Sequence, residues 1–314
     1  MPKIPDNIRM WPPVLRVKNI EKVSSFYERI GLQINRKYQN EDGDILFELG
    51  FRHGTNDHAD RLQPLVILHH DPNAKYAPPH SAGLFHFAIL VPDRKNLAST
   101  YLALRDSGVE YDGFADHLVS ESLYLRDPEN NGIEIYRDRP STEWPRDSEG
   151  HIVMDTLPLN LDALVSEELD KEEERRENAK AFPNGARIGH IHLRVTNLER
   201  SIKFYHEKLG LDITVNWSSM GAAFLSAGGY HHHIGLNTWN SLNGNTHTDG
   251  WAGLEYFTIT TPDRSSLDII RSIIDESVTP KRQEIQSKEQ GEVNNKNQIL
   301  INDPDGIQLV IKSE

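Results

Sequence analysis

The chain repeats itself, and that repeat limits what it can fold into more than any other feature. Residues 14–32 read VLRVKNIEKVSSFYERIGL, and residues 192–211 read HLRVTNLERSIKFYHEKLGL. The identities LRV, N, E and FY fall in one register, offset by 178 positions, with Phe26 against Phe204; one extra residue in the second copy then sets Glu207 and Gly210-Leu211 against Glu28 and Gly31-Leu32 at an offset of 179. Agreement over that length marks an internal duplication. Each copy has the same local logic. A short alternating strand leads to an Asn able to cap a helix, and an amphipathic helix then ends at Gly31 or Gly210. Further strand-like runs follow: ILFELGF and PLVILHH in the first copy, AAFLSAG and HIGLNTW in the second.

A weaker repeat lies inside each half. GLFHFAILVPDRKNL (83–97) and GLEYFTITTPDRSSL (253–267) share a frame, and each precedes a helix-like stretch. Both halves close on a DP turn and a strand, DPENNGIEIY and DPDGIQLVI. The reading is an α+β chain of four βαβββ modules, starting near 10, 83, 187 and 253. We expect an N-terminal domain over 1–140 (modules 10–82 and 83–140) and a C-terminal domain over 187–314 (modules 187–252 and 253–314). Residues 141–186 read as a linker with a charged, solvated helix around KEEERRE, to which no chemistry is given. A length of 314 residues suits two ordinary domains.

Some functions are excluded by what the chain lacks. A net charge of −13 disfavours nucleic acid or an anionic membrane as partner, since both need basic patches. With no cysteine there is no disulfide, zinc–thiolate site or thiol nucleophile. The opening MPKIPDNIRMWPP lacks the apolar core of a signal peptide, and no run reaches the roughly 18 apolar residues of a membrane span. A cytoplasmic location is therefore the expectation.

The chemistry concentrates between Gly83 and Tyr136. His86 stands near the start of one strand-like run, and Glu134 in another after the turn-forming DPENNG. An imidazole and a carboxylate on two strands of one small sheet are two metal ligands needing a third. His117 and Tyr124 lie between them, both able to move protons.

Four βαβββ modules carrying GHIHLRV, GGYHHHIGLN, GLFHFAIL and DHLVSESLYLRDPENNGIEIY resemble the vicinal oxygen chelate superfamily of glyoxalases, bleomycin-resistance proteins and extradiol dioxygenases. Within it the chain is most similar to the bacillus-type catechol 2,3-dioxygenases. The resemblance implies cupped sheets, each built from two modules, with a metal inside. It also implies one ligand from the first strand of one module, here His190, and a His plus a Glu from its partner, here His86 and Glu134. Module one has Pro12 where His190 stands, and module four has Tyr256 and Gln308 in place of His86 and Glu134. In the commoner extradiol arrangement one half carries the whole site. Here the surviving ligands fall in modules two and three, so those two are expected to share the cleft.

By resemblance the metal is Fe(II), with Mn(II) the other candidate, and the partners are a small aromatic diol and O2. Two imidazoles and a carboxylate on one face of iron leave positions open for both. His232 takes the place of the family's acid–base histidine. Tyr124 stands ten residues before Glu134, at the spacing of the site tyrosine, and His117 resembles a further site histidine although two residues closer to Tyr124 than the family spacing. Rival readings are a glyoxalase-type lyase or isomerase with Zn(II) or Ni(II), and a non-catalytic binder of small aromatic molecules. Homo-oligomerisation is compatible with all three.

Plainer roles are expected elsewhere. His192 is read as facing away from His190, on the structural or surface side of its strand. Alternation puts His231 and His233 on one face and His232 on the other. His69 and His70 are read as remnants or surface residues, His53, His58 and His247 as loop residues, and Trp239 and Phe224 as candidate walls for an aromatic ring.

Overall fold

In a computed structural model the protein is described over residues 3–53, 61–168, 182–277 and 297–314. Module one comprises β1 (Arg9–Val17), α1 (Ile20–Arg29), β2 (Gln33–Gln39), β3 (Ile45–His53) and β4 (Arg61–His70), followed by the two-residue β5 (Lys75–Tyr76). Module two comprises β6 (Gly83–Leu90), α2 (Arg94–Asp106), β7 (Tyr111–Asp116), β8 (Ser120–Arg126) and β9 (Gly132–Asp138). After α3 (Leu161–Glu168) in the linker come β10 (Arg187–Arg194), α4 (Leu198–Lys203), β11 (Asp212–Trp217), β12 (Ala222–Ser226) and β13 (Ile234–Asn237). Module four is β14 (Trp251–Thr261), α5 (Arg264–Ser277), β15 (Gln298–Asn302) and β16 (Gln308–Ser313). The stretch around KEEERRE and His58 lie outside the described residues.

The repeated letters have structural jobs. Asn19 and Asn197 cap α1 and α4 by accepting from the amides of Lys22 and Arg200. Gly31 and Gly210 end these helical stretches at φ 101° and 85°, where a β-carbon would be strained. The tyrosine of each FY pair is buried and donates to the aspartate of the DP turn in the next module: Tyr27 to Asp127 at 3.4 Å, Tyr205 to Asp303 at 3.0 Å. Burial pushes both aspartates up to about 6. One apolar cluster, including Leu15, Tyr27, Phe87, Leu193 and Tyr205, runs through all four modules.

Among the described residues sixteen strands form two sheets, and the sheets do not follow the order of the chain. The first runs β15-β16-β14-β1-β4-β3-β2, with β5 beside β14, and joins modules one and four. The second runs β11-β12-β13-β10-β6-β9-β8-β7 and joins modules three and two. Each seam is an antiparallel pair of first strands: β1 with β14, and β10 with β6. The register of β1 slips between Trp11 and Val14, around Pro12 and Pro13, which have no N–H for the ladder. The equivalent slip in β10 falls between Ile188 and His190. Gly189 sits in that bulge, where a β-carbon would collide with the Tyr136 hydroxyl.

Candidate metal centre

Strand register brings the chemical groups together. Across the β6–β10 seam His192 stands opposite His86, and His190 opposite Ala88. Ala88 in turn neighbours Glu134 in β9, and Glu134 is opposite Tyr124 in β8. Ile191 and Leu193 point into the apolar core, so His190 and His192 face the other way. The expectation that His192 faces away from His190 is therefore wrong. Residues two apart on a strand share a face. His192 is buried, its ring centre lies 4.9 Å from that of His86, and its Nε2 accepts from Asn237 Nδ2 at 3.1 Å. Gly235 makes room for it, since a β-carbon there would come within 2.8 Å of the imidazole.

His86, Glu134 and His190 are all buried, and one ligand atom from each lies within 4.8 Å of the others. Glu134 Oε2 is 2.9 Å from His86 Nε2 and 3.0 Å from His190 Nε2. The other carboxylate oxygen accepts from Ser122 Oγ at 2.6 Å, which fixes the rotamer and aims Oε2 at the imidazoles. His86 Nε2 makes no hydrogen bond despite its closeness, because the approach is out of line. A buried imidazole nitrogen without a hydrogen bond, beside a carboxylate and a second imidazole, fits a divalent metal.

Protonation agrees with that use. Burial alone would raise the Glu134 carboxyl, but His190 and His86 outweigh it and hold it well below the usual carboxylate range. Burial lowers His190 to about 4 against the pull of Glu134. Near neutral pH the acid is ionised and His190 is uncharged, the forms that bind metal.

The other nominated residues surround this cluster. The His232 ring lies 4.1 Å from that of His190, centre to centre. Residues 231–233 form a bend before β13, yet they still diverge: His232 lines the cavity while His233 Nδ1 meets Ser226 Oγ at 2.9 Å. Behind His232, the two Nδ1 atoms of His231 and His232 are 2.8 Å apart, and His231 Nε2 is 2.7 Å from Asp138 Oδ1. His117 Nδ1 donates to the Asp155 carbonyl at 2.8 Å, so its Nε2 accepts from the Tyr124 hydroxyl at 2.7 Å. Burial, followed by the Glu134 charge, raises Tyr124 well above the usual phenol range and keeps it protonated.

These groups face a cavity of about 300 Å³ walled by Phe85, Trp217, Phe224 and Trp239. The linker also reaches it. Met154 and Thr156 line the cavity, and Asp116 and Leu157 form a β-bridge beside it. A linker without chemistry was the expectation. Its role was illegible because nothing local in those residues marks which surface they cross. The sequence likewise gave no signal for Ser122 or Asp138, whose importance is purely positional.

Comparison with known proteins gives the family. A family model described as the Glyoxalase/Bleomycin resistance protein/Dioxygenase superfamily matches residues 10–135 and 187–311. The chain is 41% identical over 258 residues to a catechol-2,3-dioxygenase of Bacillus subtilis (strain 168), covering 82% of this chain and 84% of that protein. In fold it is similar to a putative dioxygenase from Bacillus subtilis (TM-score 0.60, 14% identity, 100% of this chain and 86% of the other). It is also similar to glyoxalase I from Zea mays (TM-score 0.54, 19% identity, 98% of this chain and 92% of the other). Among the described residues no helix is long and apolar enough to cross a membrane. The repeated modules, the shared cleft and these matches place the chain in the Glyoxalase/Bleomycin resistance protein/Dioxygenase superfamily, to which it belongs.

Proposed function

We propose that the protein is an extradiol dioxygenase, cleaving the ring of catechol or a substituted catechol beside its two hydroxyls. The observation that carries the reading is the convergence of His86, His190 and Glu134 within 4.8 Å beside an aromatic-walled cavity. These three would hold Fe(II), or Mn(II) in its place. Bound iron supplies the one-electron chemistry that makes a chelated diol and O2 reactive toward each other. The 41% identity to a catechol-2,3-dioxygenase supports the same assignment. A glyoxalase-type reaction would call for a second carboxylate at the metal, and the cluster holds one among the described residues.

The remaining groups have parts the geometry makes concrete. Asp138 accepts the Nε2 proton of His231, which leaves His231 Nδ1 to accept from His232 Nδ1. That chain fixes the His232 tautomer and leaves Nε2 as its basic nitrogen. Burial holds His232 well below the usual imidazole range, so it is uncharged and able to take a proton from a substrate hydroxyl. Tyr124 donates to His117, so the phenol oxygen is oriented as an acceptor for the second hydroxyl. Phe85, Phe224 and Trp239 would wall the substrate ring.

The test is anaerobic loading with Fe(II), then catechol, then oxygen. Stoichiometric O2 uptake with a yellow ring-opened semialdehyde is expected. An iron-loaded protein that consumes no O2 with catechols of any substitution ends the reading.

A further inference from the structure

A second cavity, of about 550 Å³, lies apart from the metal cluster. It is lined by Tyr76, Pro78, Pro128, Arg194, Trp251 and Gly253, among others. Arg194 is the one cation of this wall, and among the described residues it has no hydrogen bond or ion pair. Its Nε is buried without a partner. A largely buried guanidinium without a counter-ion is costly, and proteins rarely leave one so. Glu129, the carboxylate on the same wall, is engaged: its oxygens accept from the amides of Lys18 and Asn19.

The internal duplication supplies a control for this observation. Arg16 is the equivalent residue, 178 positions earlier in the repeated LRV. It is gripped by three carboxylates, Asp71 at 3.2 Å, Asp249 at 3.3 Å and Glu255 at 3.0 Å. Arg16 stands opposite Gly253 in β14 and His69 in β4. Arg194 stands opposite Gly83 in β6 and Asn237 in β13. Two residues beyond those partners, the first sheet has Glu255 and Asp71, and the second has Phe85 and Trp239. Two of the three acids that neutralise Arg16 are thus replaced by rings, 5.4 Å apart, which wall the metal-side cavity. Both copies have the arginine, and only the first pairs it with acids.

We infer that the second cavity is a binding site for an organic carboxylate, with the acid group on the Arg194 guanidinium and the apolar body against Tyr76, Trp251 and the prolines. A guanidinium offers a carboxylate two parallel donors, and the cavity is far larger than a bare inorganic oxyanion needs. The site does not depend on the metal chemistry proposed above.

Calorimetric titration of the full-length protein with benzoate, benzamide and inorganic phosphate tests it. Benzoate binds one to one, and the uncharged benzamide binds at least about tenfold more weakly. Arg194→Gln weakens benzoate by about tenfold or more, whereas His86→Ala leaves it unchanged. Trp251→Ala on the apolar wall weakens benzoate without changing phosphate, which keeps the test decisive if the arginine variant does not fold. Three results overturn the proposal: benzoate affinity unchanged in Arg194→Gln, benzoate lost in His86→Ala alone, or phosphate bound through Arg194 as tightly as benzoate.

Discussion

The two sheets are near-copies in frame and opposites in content. Both are built from two modules joined at an antiparallel seam, and two buried Tyr–Asp bonds, each between consecutive modules, tie one sheet to the other. Where the second sheet sets His190, His86 and Glu134, the first has Pro12, Tyr256 and Gln308. Where the first surrounds Arg16 with acids, the second leaves Arg194 unpaired. Residues that hold the frame are kept in both copies, because each copy must bury the same faces and satisfy the same turns. Residues that do chemistry need only one cleft, so the other copy is free to lose them.

That contrast can be broken deliberately. Glu134→Gln gives the second sheet the residue the first already has at that place, Gln308. Removing the anionic ligand is expected to weaken metal binding by more than about 100-fold and to abolish turnover, read as metal content after dialysis and as O2 uptake. Equal metal content in wild type and variant would remove Glu134 from the ligand set.

Variants around the proton chain separate the metal from the chemistry. His232→Ala should keep iron yet lose roughly 10²–10⁴-fold in turnover. Asp138→Asn, whose uncharged amide oxygen is a weaker acceptor for His231 Nε2, should lose less, about tenfold, mainly in kcat. Full activity in the His232 variant would reassign the base.

The metal-free protein should also show the asymmetry in its pH dependence. Burial holds His190 at about 4, below its ordinary 6.5, so the unfolded chain takes up that proton first. Stability from this group is present above pH 6.5 and falls as the pH drops toward about 4. His192 and His232, also lowered by burial, act in the same direction. His190→Gln should flatten part of that fall between pH 7 and 5 in urea unfolding. An unchanged slope would mean that His190 is not held uncharged.

The smallest effect tests what the sheets share. Tyr27→Phe and Tyr205→Phe each remove one buried hydroxyl bond to an aspartate. Each should cost about 1 kcal/mol, and the two should agree. A large difference between their unfolding midpoints would show that the duplicated frame is not equally loaded.

Much of this was legible along the chain because its causes are local. The alternation and the capping Asn residues mark the modules, and the duplicated letters FY and DP mark the frame that Tyr27, Tyr205, Asp127 and Asp303 complete. Ligand types stand out in GLFHF, GIEIY and GHIHL because a histidine or an acid on an apolar strand is unusual. His192 shares its face with His190 by strand periodicity alone, a reading the sequence already allowed.

Other features depend on which strands meet, and no local pattern specifies that. The β6–β10 seam joins residues about a hundred positions apart and brings His190 to His86. The same packing turns His231 toward Asp138, lays Met154 and Thr156 across the cavity, and gives Arg194 rings where Arg16 has acids. The sequence by itself determined the modules, the turns and the kinds of side chain available. The placement of the surviving ligands already pointed to modules two and three sharing a cleft; the tertiary structure decided the strand register and which further groups face that cavity, because strand pairing and burial are settled by the whole core together.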